Sequence, residues 1–286
     1  DNWYTSNLEA KDYTKYLSTT AVYCNDRELG SGTYSATGDK FYYVGYTRLG
    51  ANKNPSYNCT NEYDAFSVNN TKAQLTYPIA LMTADEISYA GGVWIKNAAT
   101  WYYLNSKGNA SIKNGQNEWW LLSAASWDTD KSSVVFKISS AQDRKAQFGA
   151  QSVQYKLHVR PVISLKSDVL HKSGDGSATN PYEIQETPDT IYERLLLDKS
   201  TRPGERTDFS TVLTTDNTKT LYTGTEEGTT IYYFAGNATD NWVKLGGYYW
   251  RIIRTNADRS VRLLYHGTST DTTEAYINSS TAFNSS

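Results

Sequence analysis

The chain has 286 residues, 38% hydrophobic and 20% charged, which is enough to bury a full core in one large domain or two smaller ones. A net charge of −2 and a pI near 6.0 remove the electrostatic basis for generic nucleic-acid binding. No apolar run approaches the roughly 18 residues that a membrane span needs, and no signal-peptide pattern is present.

Taken in chain order, "DNWYTSNLEAKDYTKYL" predicts a helix with Trp3, Leu8, Tyr13 and Leu17 on one stripe. "KFYYVGYTRL" reads as a strand over 40–48. In "QLTYPIALMTADEISYAGG" a short strand (Ile79–Met82) meets Thr83 as N-cap, Glu86 completes a capping box, and Gly91-Gly92 stops the helix. Asp85 and Glu86 invite a catalytic reading as a carboxylate pair, but capping and the helix dipole account for both. Next come "TWYYLNSKG", the Trp119-Trp120 strand, "SSVVFKIS", an irregular stretch, and "VRPVISLKSDVL", where Pro161 predicts an edge or a bulge. "HKSGDGSATNPYEIQ" is turn chemistry and a short strand. Residues 186–208 hold a short helix (Ile191–Leu197) and a polar Pro-Gly stretch that reads as a domain boundary. Beyond it "TTIYYFAGN" and "NWVKLGGYYWRIIRTNADRSVRLLYHG" are strands.

Aromatic residues make up 14%, with 24 Tyr and 8 Trp against 7 Phe. Tyr and Trp set an apolar body beside a polar tip, which suits half-wet surfaces and interfaces. With abundant Ser, Thr and Asn, this is the composition of an extracellular β-rich protein. The single methionine is Met82, so the chain reads as processed or as an excerpt. Cys24 and Cys59 lie in polar, loop-like surroundings and read as a disulfide, the alternative being two free thiols in a reducing compartment. Such a bond, closing a loop of about 35 residues, is worth about 3–4 kcal/mol on a chain-entropy account. His158, His171 and His266 show no zinc-ligand spacing with either cysteine.

No catalytic motif is present: no G-x-S-x-G elbow, P-loop, G-x-G-x-x-G or H-E-x-x-H. "GSG" at 30–32 and "GDG" at 174–176 are isolated glycine turns. Sequons at Asn58, Asn69, Asn109 and Asn237 are what chance produces in this composition. Trp127 lies on a small-residue segment with Asp128 and Asp130 beside it, and it is the kind of side chain that becomes an exposed anchor. The two acids could serve Ca²⁺, but a hard cation needs six or more oxygens, so a solvated loop is the favoured reading and no metal is assigned. Trp119 and Trp120 point to opposite faces of a strand, one into a core and the other toward a groove.

The ordered run "TYPIALMTADEISYAGG", "YY", "WWLLS", a variable middle, "VRPVISLKSDV" and "SGDGSATNPYEI" resembles surface proteins of gut Firmicutes and Mollicutes with a C-type-lectin-like fold. That fold is shared by the formylglycine-generating enzyme and by variable target proteins of diversity-generating retroelements. The resemblance covers most of 1–185 and, separately, 206–286. It implies an α+β, C-type-lectin-like fold with a diversified ligand tract over Ser123–His158, between Trp119-Trp120 and Arg160-Pro161-Val162. The paired active-site cysteines of formylglycine-generating enzymes have no counterpart here. In relatives the segment matching 206–286 comes first, so the parts are permuted or cut out of phase, and 206–286 is expected to complete the fold of 1–185 in cis or in trans.

The expectation is therefore a lectin-like core over 1–185, a helix and linker over 186–205, and a β-rich half-domain over 206–286. Its function is expected to be extracellular, non-enzymatic binding or adhesion, with a protein or glycan ligand held by Trp127, Asp128, Asp130, Arg144, Phe148 and Tyr155. The alternative is a structural subunit of a surface filament or repeat array, in which 206–286 complements 1–185 of a neighbouring copy.

Overall fold

The computed structural model describes residues 2–34, 39–98, 118–128, 132–140, 146–184, 189–199, 201–213, 220–272, 275–277 and 281–282. The chain opens with α1 (Asn2–Tyr4), which widens into a π-type turn over Thr5–Glu9. The apolar stripe is real, with Leu8 and Leu17 fully buried, but no single helix carries it to residue 17. Asp12 adopts a left-handed backbone at φ 59°, which an L-residue helix cannot propagate, and a 3₁₀ turn over Thr14–Tyr16 follows in a new direction.

Four short strands come next: β1 (Tyr23–Cys24), β2 (Leu29–Ser31), β3 (Phe41–Tyr43) and β4 (Ala65–Phe66). The strand expected over 40–48 ends early, because the chain coils into α2 (Val44–Thr47) after Tyr43. β5 (Ala80–Leu81) then leads into α3 (Ala84–Tyr89). The capping box forms from both sides: Thr83 Oγ1 accepts from the Glu86 N–H at 3.1 Å, and Glu86 Oε2 accepts from the Thr83 N–H at 2.9 Å. Gly91, at φ 110°, ends the helix, and the Gly92 N–H closes it on the Ile87 carbonyl at 2.9 Å. A Cβ at position 91 would meet the Leu213 carbonyl oxygen at 2.8 Å, so glycine is what lets the later chain approach.

The middle of the chain is ladder. β6 (Asn97–Ala98), β7 (Trp119–Trp127), β8 (Ser133–Ser140), β9 (Ala146–Ser152) and β10 (Lys156–Leu157) succeed one another. The stretch expected to be irregular therefore contains a seven-residue strand in full register with β8. β11 (Pro161–Leu165), β12 (His171–Ser173) and β13 (Tyr182–Ile184) follow, and then α4 (Ile191–Asp198), capped by a Thr190–Glu193 box. The remaining strands are β14 (Thr201–Glu205), β15 (Thr220–Glu226), β16 (Thr229–Tyr233), β17 (Trp242–Leu245), β18 (Tyr248–Thr255), β19 (Val261–Gly267) and β20 (Thr281–Ala282).

The result is a mixed α+β chain dominated by sheet. One ten-stranded sheet runs β12-β13-β17-β18-β16-β15-β14, with β19, β11 and β5 branching from β18. Pro161 starts β11, where a missing N–H is tolerated, but the strand is no edge: it pairs with β19 on one side and β5 on the other. Strands of 206–286 thus pair directly with strands of 1–185 in the same chain, through β11–β19 and β13–β17. The expected boundary at 186–208 does not divide two cores, because one apolar cluster joins Leu8, Met82 and Trp119 to Val243, Trp250 and Leu263. β14 crosses the supposed linker as a parallel neighbour of β15.

A second, six-stranded sheet runs β2-β3-β7-β8-β9-β6. Its inner face gives Trp119, Leu121, Phe136, Ile138 and Phe148 to the main core. The alternation of Trp119 and Trp120 is present, but neither faces an open groove: Trp120 is 1% exposed, packed with Val135 and Leu157 in a cluster of its own.

Candidate functional site

Cross-strand partners share a face of a sheet, so the ladder decides what the outer face of the six-stranded sheet carries. Lys137 lies opposite both Trp120 and Gly149, Val135 opposite Gln151, and Trp127 opposite Ser133 and Phe41. Between Trp120 and Trp127 the register slips twice, at Trp120/Ala124 and at Ala124/Ser126. Bulges of this kind re-aim side chains, and these bring Trp127 onto the face of Trp120 and Val135, away from the main core.

Three chain reversals meet at one end of this sheet. Lys40 precedes β3, and Tyr34 stacks on Phe41 with ring centroids 4.9 Å apart. Phe41 in turn lies parallel to Trp127 at 6.4 Å. The β7–β8 hairpin is closed by the Asp128 N–H on the Ser132 carbonyl at 3.0 Å, and Asp128 binds Lys40 Nζ at 2.7 Å. That hydrogen bond with Asp128 raises the Lys40 pKa against a smaller opposing effect of burial. Tyr43, beneath the stack, is pushed up to about 12, first by burial and then by its hydrogen bond with Tyr34. The turn after β9 adds Tyr155, whose N–H bonds the Ser152 carbonyl, while Val153 bonds back to Ser133. Tyr34 is 73% exposed and Tyr155 59%, an unusual pair of large apolar surfaces to leave in water. The Trp127 indole is half-buried, and its N–H has no hydrogen-bond partner among the described residues.

The six expected contacts therefore divide. Trp127, Asp128 and Tyr155 gather at this end. Phe148 does not: it is fully buried against Trp94 and Phe136, because its place opposite Ile138 turns it into the core. Asp130 and Arg144 lie outside the described residues. The residues flanking Arg144, Ser140 and Ala146, pair at the opposite end of the β8–β9 hairpin from Val134 and Ser152. Tyr34, Lys40 and Phe41 were not read from the sequence as site residues. The aromatic run "KFYYVGY" is the signal that could have found them, but only pairing with β7 joins it to Trp127.

A different arrangement surrounds α3. Glu86, 1% exposed, meets Arg262 Nη1 and, at 3.1 Å, Arg254 Nε, while Arg254 Nη2 reaches Glu226 at 2.8 Å. Burial works to raise the Glu86 pKa, and Arg262, Arg254 and the Thr83 N–H overcome it, leaving the carboxyl below its ordinary value. Asp85 takes a bidentate grip from Arg48 at 2.9 and 2.7 Å and also accepts the Ser56 N–H. A narrow pocket opens beside these groups, near Tyr57 and the Cys24–Cys59 disulfide. Every carboxylate named here is held by an arginine, so the Asp85–Glu86 pair caps and cross-braces and has no free base to offer.

Among the described residues no three His, Cys, Asp or Glu side chains converge as metal ligands, and no helix is long and apolar enough to cross a membrane. Comparison with protein-family models, with curated proteins and with solved structures finds no match for this chain.

Proposed function

We propose that this chain is a non-enzymatic binding or adhesion protein of the cell surface or extracellular space, taking a protein or glycan ligand at the aromatic end of its six-stranded sheet. The observation that carries this reading is the stack Tyr34–Phe41–Trp127, exposed at its outer end and flanked by the Lys40–Asp128 pair. Rigid aromatic anchors beside charged hydrogen-bonding groups are what binding surfaces concentrate, since large rings bury much area at little entropic cost. Phe41 and Trp127 are held on strands β3 and β7, and Tyr34 stacks on them from the connection before β3. The Cys24–Cys59 disulfide supports an oxidising compartment. The likeness to variable target proteins of diversity-generating retroelements adds the proposal that 123–158 is the diversified tract of a C-type-lectin-like fold.

Two experiments test this. Sequencing the locus across a cell population should find variation concentrated within 123–158, at positions near Trp127 and Tyr155 such as Gln151 and Gln154, and sparing Phe136, Ile138 and Phe148. Labelled protein should bind a glycan array or intact cells, and Tyr34→Ala with Tyr155→Ala, both exposed, should reduce that signal at least tenfold at nearly unchanged melting temperature. Equal binding by wild type and the double variant would remove this end of the sheet as the ligand site.

A further inference from the structure

The "GDG" turn, which the binding reading leaves unused, lies over a buried lysine–carboxylate contact. Lys199, just past the end of α4, is 1% exposed, and Asp240, in the connection before β17, is 8% exposed. Lys199 Nζ stands 3.2 Å from Asp240 Oδ2, the most buried lysine ion pair among the described residues. Gly176 makes the approach possible: a Cβ there would meet the Asp240 carbonyl oxygen at 2.5 Å and the Tyr182 ring at 2.7 Å. The ammonium also donates to the Asp175 carbonyl at 3.2 Å and to the Tyr182 hydroxyl at 3.4 Å. Tyr182 passes the chain on, donating to Asp198 Oδ2 at 2.8 Å.

We propose that Lys199 and Asp240 condense into an intramolecular amide cross-link. With Lys199 Nζ held 3.2 Å from Asp240 Oδ2, the nitrogen is fixed beside the carboxyl whose carbon it would attack, the kind of placement from which intramolecular reactions gain most. Two charges taken out of water are costly to keep, and the neutral amide removes both. The atoms balance without any further reagent. A proton passes from the Lys199 ammonium to the Asp240 carboxylate, giving a neutral amine and a carboxylic acid. The amine lone pair attacks Asp240 Cγ, forming the C–N bond. The nitrogen loses one more proton, the Cγ–OH bond breaks, and one water departs. The Tyr182 hydroxyl lies between the nitrogen and the Asp198 carboxylate, so it can pass that proton to and from Asp198, and the hydroxyl leaving the carbon bonded to that nitrogen takes the proton with it as water. Burial and the hydrogen bond to Asp198 hold the Tyr182 pKa far above its ordinary value, so the phenol stays protonated between transfers. The bond would tie the end of α4 to the start of β17, across the stretch where a linker was expected.

The test is the intact mass of the purified chain after the disulfide is reduced. The expected mass is one water below that of the sequence, with a branched tryptic peptide joining the segments around Lys199 and Asp240. Lys199→Met and Asp240→Ala should each restore the full mass, and Tyr182→Phe, which keeps the ring, should leave a mixture of the two forms that shifts slowly toward the lighter one. A full-length mass with tryptic cleavage at Lys199 would reduce the pair to an ordinary ion pair and overturn the proposal. So would a one-water deficit mapping to a hydroxylamine-sensitive imide at Asp175-Gly176.

Discussion

β19 and β8 are both strands of seven or eight residues with apolar sequences, and they live in different surroundings. Every residue of β19 from Val261 to Gly267 is buried, Arg262 and His266 included, because β18 and β11 flank it and other chain covers both faces. β8 buries Phe136 and Ile138 on one face and Val135 and Lys137 on the other, and its Ser133 end, beside Trp127 and near Tyr155, is half-buried. A strand covered on both faces must neutralise whatever charge it carries, so Arg262 is matched to Glu86. A strand whose covering stops short of one end, as it does beyond Val135 in β8, can leave that rim open to selection for binding. The two regions therefore differ in how much a substitution costs.

The sharpest way to break the comparison is Glu86→Gln. It keeps the shape and the cap but leaves Arg262 beside a neutral amide and Arg254 with Glu226 as its carboxylate partner. Removing one partner of a buried pair costs about 3–5 kcal/mol, so denaturant unfolding should show a loss of that size. A loss under 1 kcal/mol would mean that water, not Glu86, neutralises the arginines.

Trp120→Ala tests the outer face at its buried root. A cavity of that size costs about 3–5 kcal/mol, although the residue lies on the sheet face that ends in solvent. Reducing the Cys24–Cys59 bond should cost slightly less, about 3–4 kcal/mol for a span of 35 residues. Intact mass after alkylation without reductant should show no labelled thiol.

Acid should weaken the ten-stranded region first. Glu86 and Glu226 are held below their ordinary value of 4.5, burial opposing and the arginines prevailing. The unfolded chain then takes up protons first, so their contribution is present above about pH 4.5 and is lost as pH falls through the lower folded values. His266 is pushed well below 6.5 by burial and by Arg160 and Arg251, so stability also declines as pH drops under 6.5, where only the unfolded imidazole is charged. Melting temperature against pH, with His266→Asn as control, separates the histidine from the carboxylates.

The smallest effect belongs to the rim. Tyr155→Ser and Gln154→Ala should each stay within about 0.5 kcal/mol, since exposed substitutions remove little packing. If Tyr155→Ser costs as much as Trp120→Ala, the distinction between root and rim fails.

Local chemistry was legible in the sequence. The Thr83–Glu86 box, the Gly91 stop, the Ile191–Leu197 helix, the Trp119 strand and the cysteine pair depend on neighbours a few residues away or on composition, and each is present. Half of the candidate site was also legible, because Trp127, Asp128 and Tyr155 are side chains that a core has little use for. What tertiary structure alone decided is which strand lies beside which. A one-residue slip in register exchanges the faces of a strand, so Phe148 falls inside while Trp127 turns outward. The arginine partners of Glu86 lie more than 160 residues away along the chain, and no local pattern records them. The same holds for Lys40 with Asp128 at the surface and for Lys199 with Asp240 in the interior: charges far apart in sequence meet only where the fold brings them together.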